Sequence, residues 1–307
     1  MMEAQPVRVT DRLSASQIDE VLALAAAAEK ADGVYPLSED VVLRVRGGGD
    51  PAGRVHLRSF AGDDLAGYAF LDRTDPEGPA GELVVHPRHR RQRHGTALLT
   101  VAGDGPLRFW AHGDEPGAHA FAIKNGFARV RVLWQMRRSL SPVLPDDVPL
   151  PDVPLPPGVT LRGFRAGHDE QAWLAVNARA FAHHPEQGRW TIDDLRLREA
   201  EPWFDPAGFL LAVDLEDTLL GFHWTKVHPA SVADPAIGEI YVLGVDPAGH
   251  RRGLGAALTA AGLHHLAAAG LTEAMLYVDE SNEAAVALYR RFGFDIHQAD
   301  VSYQRDS

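Results

Sequence analysis

Glu239 opens the stretch of this chain in which residue types and spacing add up to chemistry. A carboxylate can take a proton, and this one begins an apolar run, Ile240 to Val245, that reads as a buried strand. Asp246-Pro247-Ala248-Gly249 breaks the run with turn residues. His250-Arg251-Arg252-Gly253-Leu254-Gly255-Ala256 then leads into Ala257-Leu258-Thr259-Ala260-Ala261, a good helix former. Glycines where a helix begins let a ligand approach the backbone, and the first amides of the helix have no internal partner. Two arginines add charge, so the natural guest is a phosphate or pyrophosphate. The nucleotide P-loop is excluded, because no Gly-Lys-Ser/Thr tripeptide exists. The dinucleotide fingerprint has a different glycine spacing.

The loop resembles the Gln/Arg-x-x-Gly-x-Gly/Ala pattern of the GNAT N-acetyltransferase superfamily, with His250 in the Gln/Arg slot. A Gly-rich helix start alone is equally an ordinary strand–turn–helix. Here Ser281-Asn282-Glu283-Ala284-Ala285 and Tyr289-Arg290-Arg291-Phe292-Gly293-Phe294 follow at the family's spacing and resemble its closing signature. The resemblance implies an α/β fold in which a mixed, centrally splayed sheet is flanked by helices, with acetyl-coenzyme A as cosubstrate. Its pyrophosphate would sit on the 250–256 loop. Gly244 is where a bulge would separate neighbouring strands. The resemblance lays the pantetheine arm in that gap, against the backbone of Leu243, Gly244 and Val245.

Acetyl transfer to an amine needs a neutral nucleophile, a polarised thioester carbonyl and a protonated leaving thiolate. Glu239 is the candidate base, acting directly or through one water; a solvated strand-end glutamate is the plainer reading of the same residue. An amide in the gap could donate to the thioester oxygen as charge develops. Tyr289 matches the superfamily tyrosine that protonates departing coenzyme A. A thiolate with an ordinary pKa of about 8.5 needs only modest help, so this role is the smaller one. A core tyrosine packed on Phe292 and Phe294 is the alternative, and both can hold. The pairs His183-His184 and His264-His265 face different ways on any regular element, and no His-Glu-x-x-His occurs, so no metal site is expected.

The elements that must position these groups occur twice. Asp64–Phe70 parallels Thr218–Trp224, Leu83-Val84-Val85-His86-Pro87 parallels Leu243–Pro247, and Asn125-Gly126-Phe127 parallels Phe292-Gly293-Phe294. Residues 141–158 between the copies carry seven prolines and read as an extended, semi-rigid spacer. Two tandem GNAT domains are therefore expected: 1–140, a 141–158 linker, and 159–307. Gly253 corresponds to Arg93, Gly255 to Gly95, Glu239 to Pro79 and Tyr289 to Ala122. The first copy has thus lost one glycine of its cradle and both catalytic groups, although Arg91 and Arg93 could compensate by charge. Catalysis belongs to the second copy.

Ala31–Glu39, His184–Gly188, Trp224-Thr225-Lys226 and Gly238–Pro247, with the tandem arrangement, look like the mycothiol synthase family of actinobacteria. That family acetylates the cysteinyl amine of cysteinyl-glucosaminyl-inositol. The resemblance implies substrate contacts at Glu39, Glu186, Lys226, Glu239 and Tyr277. It implies acetyl-coenzyme A contacts at Leu243–Val245, at His250, Arg251, Arg252, Gly253, Leu254, Gly255 and Ala256, and at Asn282, Glu283, Ala284, Ala285, Val286 and Ala287. A second, non-catalytic acetyl-coenzyme A would lie at Leu83, Val84, Val85, Arg91, Gln92, Arg93, His94, Gly95 and Thr96. The first-copy loop departs from the family's pattern at Arg93 and His94. Glu39 is equally a helix-start glutamate favoured by the macrodipole. Lys226 is one of only three lysines, beside 27 arginines, and is harder to dismiss.

Composition sets the outer limits. A length of 307 residues suggests about two domains. The longest purely apolar run, Val21 to Ala28, is far short of the roughly 18 residues of a membrane span. No secretory pattern opens the chain and no cysteine is present, so a cytoplasmic protein without disulfides or thiolate chemistry is expected. A formal net charge of −12 disfavours nucleic acid and suits a cationic or amine substrate. A tandem protein can form internally the pair that single-domain relatives make by dimerising, so a monomer is expected. Two other readings stay open: a GNAT enzyme for an aminoglycoside, polyamine or protein amino terminus, and an acyl-coenzyme A sensor without turnover. Glu239 and Tyr289 together argue against the sensor.

Overall fold

The computed structural model describes residues 6–47, 52–75, 77–141, 148–183, 187–230, 235–249 and 253–306. The first series of elements is β1 (Val7–Thr10), α1 (Ala15–Asp32), α2 (Glu39–Val45), β2 (Arg54–Ala61), β3 (Asp64–Asp72), β4 (Ala80–Val85), α3 (His94–Ala102), β5 (Leu107–Ala111), α4 (Pro116–Lys124) and β6 (Ala128–Ser139). The second is β7 (Thr160–Gly163), α5 (Glu170–Ala180), α6 (Ile192–Glu199), β8 (Phe209–Val213), β9 (Leu219–His228), β10 (Ile237–Val245), α7 (Leu254–Ala268), β11 (Glu273–Asp279), α8 (Glu283–Arg291) and β12 (Asp295–Arg305). Both run strand, two helices, three strands, helix, strand, helix, strand. The repeat read from the sequence is real.

Contacts divide the chain differently from the expected boundaries. One unit holds the residues up to Leu133 together with those from Gln298 onward, and the other holds Trp134–His297. The last strand is the reason. Residues Val301–Arg305 pair antiparallel with Ala111–Leu107 of β5, and Val301 and Tyr303 enter the first unit's core with Leu98, Phe109 and Phe127. The second half of β6 puts Met136 and Leu140 into the second unit's core instead. Strand pairing is non-local, so a boundary between sequence repeats need not be a boundary between packed units.

In the first unit the sheet runs β1-β2-β3-β4-β5-β12, with β4 and β5 parallel and the remaining neighbours antiparallel. Alternation along β3 sends Ala69 and Leu71 to the α3/α4 face and Tyr68 and Phe70 to the α1/α2 face. In the second unit β11-β10-β9-β8-β7 follow the second half of β6, and β10 and β11 are the parallel pair. Trp173, Phe209, Phe222 and Trp224 fill the α5/α6 face, while α7 and α8 cover the other with Leu263, Leu266 and Val286.

Each unit's parallel pair is short. Strands β10 and β11 are in register over Gly238–Ile240 only, and β4 and β5 over Ala80–Glu82 only. Beyond those residues the strands diverge, leaving Leu243–Val245 and Leu83–Val85 with an open backbone edge. The bulge expected at Gly244 lies instead at Tyr241, where the β9–β10 register shifts between Ile240 and Val242. It places Tyr241 and Val242 consecutively on the aromatic face. Gly244 sits in a regular ladder opposite Phe222, and a Cβ there would lie 2.8 Å from that ring. The glycine serves close packing, not a bulge.

The Pro-rich segment also departs from expectation. Residues 148–158 form no helix or strand, but Leu150 and Val153 pack on the second unit's core and Leu155 joins Leu254 and Leu258. Prolines, which lack an amide hydrogen, keep the segment extended while its aliphatic residues dock. Residues 148–158 are thus a strap on the second unit rather than a free spacer, while 142–147 of the expected linker lie outside the described residues.

Candidate active site

Gly253 is the N-cap of α7 and adopts a left-handed conformation (φ 87°, ψ −4°), with no side chain capping the helix. A glycine tolerates that turn, and it leaves the first-turn amides of α7 unpaired by any cap. Leu254 is buried and anchors the helix, while Gly255 and Ala256 stay half-buried. Their amides, the helix dipole and the adjacent open edge at Leu243–Val245 suit a phosphate-bearing arm. His250, Arg251 and Arg252 lie outside the described residues. On α8 the carboxamide of Asn282 accepts the Ala285 amide at 3.1 Å, so Asn282 shapes the helix start. Glu283, Ala284 and Ala287 are exposed, Ala285 is half-buried and Val286 is in the core.

Glu239 is not a solvated strand end: it is only 6% exposed. Gly238 and Ile240 face α7, where Leu266 packs, so Glu239 points to the opposite face of the sheet. Antiparallel pairing sets Lys226 of β9 directly across from it, and His228 stands two residues on from Lys226, on the same face. His228 Nε2 lies 2.6 Å from Glu239 Oε2. Burial alone would raise the Glu239 pKa, but the bond to His228 and the charges of His228 and Lys226 outweigh burial and lower it. The Lys226 ammonium also lies over two aromatic rings, 4.6 Å from the Trp203 centroid and 5.0 Å from that of Tyr241. Arg198 donates from Nε to the Tyr241 hydroxyl at 2.7 Å, fixing the bulge residue.

Tyr277 of β11 shares the Glu239 face by register, since Met275 is opposite Glu239. It is 40% exposed, and its hydroxyl accepts from Gln135 Nε2 at 2.8 Å. Tyr289 lies on the α7/α8 side, in the same cluster as Ile240, with its ring 5.9 Å from Phe294. Desolvation pushes its pKa up to about 12. The packing role expected for it is real. Glu239 and Tyr289 thus face opposite sides of a sheet that opens just beyond Ile240.

Strand register brings Lys226, Glu239 and Tyr277 to one face, and the structure adds His228, which the motifs did not single out. Its signal was present: in Lys226-Val227-His228 the alternation of a strand puts both basic side chains on one side. Glu186 lies outside the described residues. Glu39 is the first residue of α2 in the first unit, behind the N-cap Ser38.

In the first unit the corresponding positions are occupied differently. Because β4 lacks the bulge, the ladder partner of Asp72 is Ala80, which occupies the place of Glu239; the expected counterpart, Pro79, is one residue off. Ala122 occupies the place of Tyr289 on α4. Arg93 holds the same left-handed N-cap turn as Gly253 (φ 70°), and Arg91 is left-handed as well (φ 63°). Gln92 donates to the Arg88 carbonyl, and buried His94 hydrogen-bonds Ser59. The loop keeps its shape without glycine, but the Phe121 ring closes to 3.1 Å from where a Gly95 Cβ would be. Thr96 is exposed beyond it.

Residues 174–294 match the Acetyltransferase (GNAT) family. A mycothiol acetyltransferase of Salinispora arenicola is 58% identical, covering 96% of this chain and 95% of that protein. One from Geodermatophilus obscurus is 55% identical over 99% of both. The chain belongs to the mycothiol acetyltransferase family. It is an N-acetyltransferase with acetyl-coenzyme A as its cosubstrate, built as two tandem GNAT domains. A tandem GNAT protein from the clavulanic acid biosynthesis pathway shares that fold, with a TM-score of 0.70, 19% identity, and coverage of 97% of this chain and 98% of that one. No helix among the described residues is long and apolar enough to cross a membrane.

Proposed function

We propose that the second unit acetylates the cysteinyl amine of cysteinyl-glucosaminyl-inositol, giving mycothiol and coenzyme A by direct attack of the amine on the thioester. The observation that carries this is the buried Glu239 carboxylate, set beside two basic side chains on the face reached through the opening between β10 and β11. The relatives, mycothiol acetyltransferases, support acetyl transfer in mycothiol synthesis, and the sequence resemblance supplies the particular amine.

Acetyl-coenzyme A would lie along Leu243–Val245, with its pyrophosphate at residues 250–256 and its far side against the 282–287 helix start. A backbone amide of the open edge would donate to the thioester oxygen as it gains charge. Glu186, Lys226 and Tyr277 would hold the polyol and its amine. An α-amino group has an ordinary pKa of about 7.7–8.0, so roughly a tenth is neutral at pH 7. Glu239 supplies the negative charge that draws off the remaining proton. Tyr289, which keeps its proton at any working pH, donates a hydrogen bond to the departing sulfur.

Acetyl-coenzyme A turnover, followed by thiol release across an amine panel that includes cysteinyl-glucosaminyl-inositol, tests the proposal. Selective turnover of that amine supports it. Tight cofactor binding with no turnover on it, or preference for an aminoglycoside, polyamine or peptide, sinks it.

A further inference from the structure

We propose that His228 is the proton acceptor for the attacking amine, and that Glu239 acts through it as the positioning and charge-stabilising partner. This deepens the acetyltransferase reading above and rests on it. The geometry is that of a carboxylate–imidazole pair. Nε2 of His228 faces the carboxylate at 2.6 Å, which leaves Nδ1 as the ring nitrogen without a partner among the described residues. The two side chains also differ in access: His228 is 31% exposed and Glu239 only 8%. His228 is therefore the member of the pair with an edge open to a ligand. Among the described residues, the charged groups that bear on Glu239 are His228 and Lys226, both from β9.

Chemistry favours the same assignment. A proton acceptor works best when its affinity is matched to the donor and to the working pH. A carboxylate's ordinary pKa is more than about 3 units below that of an α-amino group, whereas an imidazole's is within about 1.5. Two basic neighbours make this carboxylate a weaker base still.

The step balances. His228 donates its Nε2 hydrogen to Glu239, and its Nδ1 lone pair takes one proton from the substrate ammonium, directly or through one water. The freed nitrogen lone pair forms the bond to the acetyl carbon, and the carbon–sulfur bond breaks. Of the three ammonium protons, one stays on the amide, one goes to the thiolate and one passes from His228 to solvent. The imidazolium formed on the way is held against the Glu239 carboxylate.

The test is steady-state turnover of the native enzyme, His228→Gln and His228→Ala, each checked for a retained thermal unfolding transition. His228→Gln should lose tenfold or more in kcat, toward the roughly 10²–10⁴-fold of a positioned base, with KM for acetyl-coenzyme A unchanged. Added imidazole should restore His228→Ala severalfold, which a merely structural role would not allow. A loss below tenfold, or a loss that imidazole does not restore, overturns the assignment while leaving the acetyltransferase reading in place. No turnover by the native enzyme on any amine overturns both.

Discussion

His112 and Asp300, 188 residues apart in the chain, meet side chain to side chain: Nδ1 of the imidazole lies 2.9 Å from an Asp300 carboxylate oxygen. The Gly113 amide donates to the other oxygen at 3.0 Å. Nε2 of His112 lies 3.5 Å from Glu82, which in turn accepts the Ser38 amide at 2.7 Å. One imidazole between two carboxylates therefore ties the final strand to the middle of the first unit and to the start of α2.

Burial alone would lower the His112 pKa, but Asp300 and Glu82 outweigh it and raise it to about 10. The folded unit thus binds a proton that the unfolded chain releases near pH 6.5. Its stabilising contribution is full below about pH 6.5, falls as the pH rises, and is gone above about 10. Urea unfolding between pH 6 and 10 checks the direction. Asp300→Asn, which removes the nearer of the two carboxylates and leaves His112 facing Glu82 alone, should cost about 1–3 kcal/mol at pH 6. A cost under about 1 kcal/mol would show the network to be incidental.

Glu239→Gln should lower kcat by about 10²–10⁴-fold, because it removes the carboxylate that faces His228 and keeps the shape. Tyr289→Phe should cost about tenfold or less, since a thiolate is already a fair leaving group. Steady-state kinetics of the two variants, side by side, checks that order.

Gly253→Ala forces a Cβ into the left-handed turn at the head of α7. The strain is about 1–2 kcal/mol, and KM for acetyl-coenzyme A should rise while kcat changes little. Arg93→Gly is the mirror experiment: it relieves a left-handed arginine and should stabilise the first unit by up to about 1 kcal/mol.

Phe121 lies against Gly95, where the second unit leaves space beside Gly255. Calorimetric titration should therefore find one acetyl-coenzyme A per chain. Phe121→Ala is the variant in which a second, weaker site would emerge. Two equivalent sites in the native protein would contradict this.

The glycine-and-arginine loop, the Asn282 and Tyr289 blocks and the doubled Gly-Tyr/Phe strands are local patterns, so family, repeat and cofactor class were all legible from sequence. Local spacing also predicted that the second copy carries the catalytic groups. What spacing cannot carry is pairing between distant strands. That is why the last strand's place beside β5, the Tyr241 bulge and the consequent shift of Glu239's counterpart from Pro79 to Ala80 had to come from the fold. The same holds for His228. It became meaningful only when the β9–β10 register set its ring 2.6 Å from the buried Glu239 carboxylate.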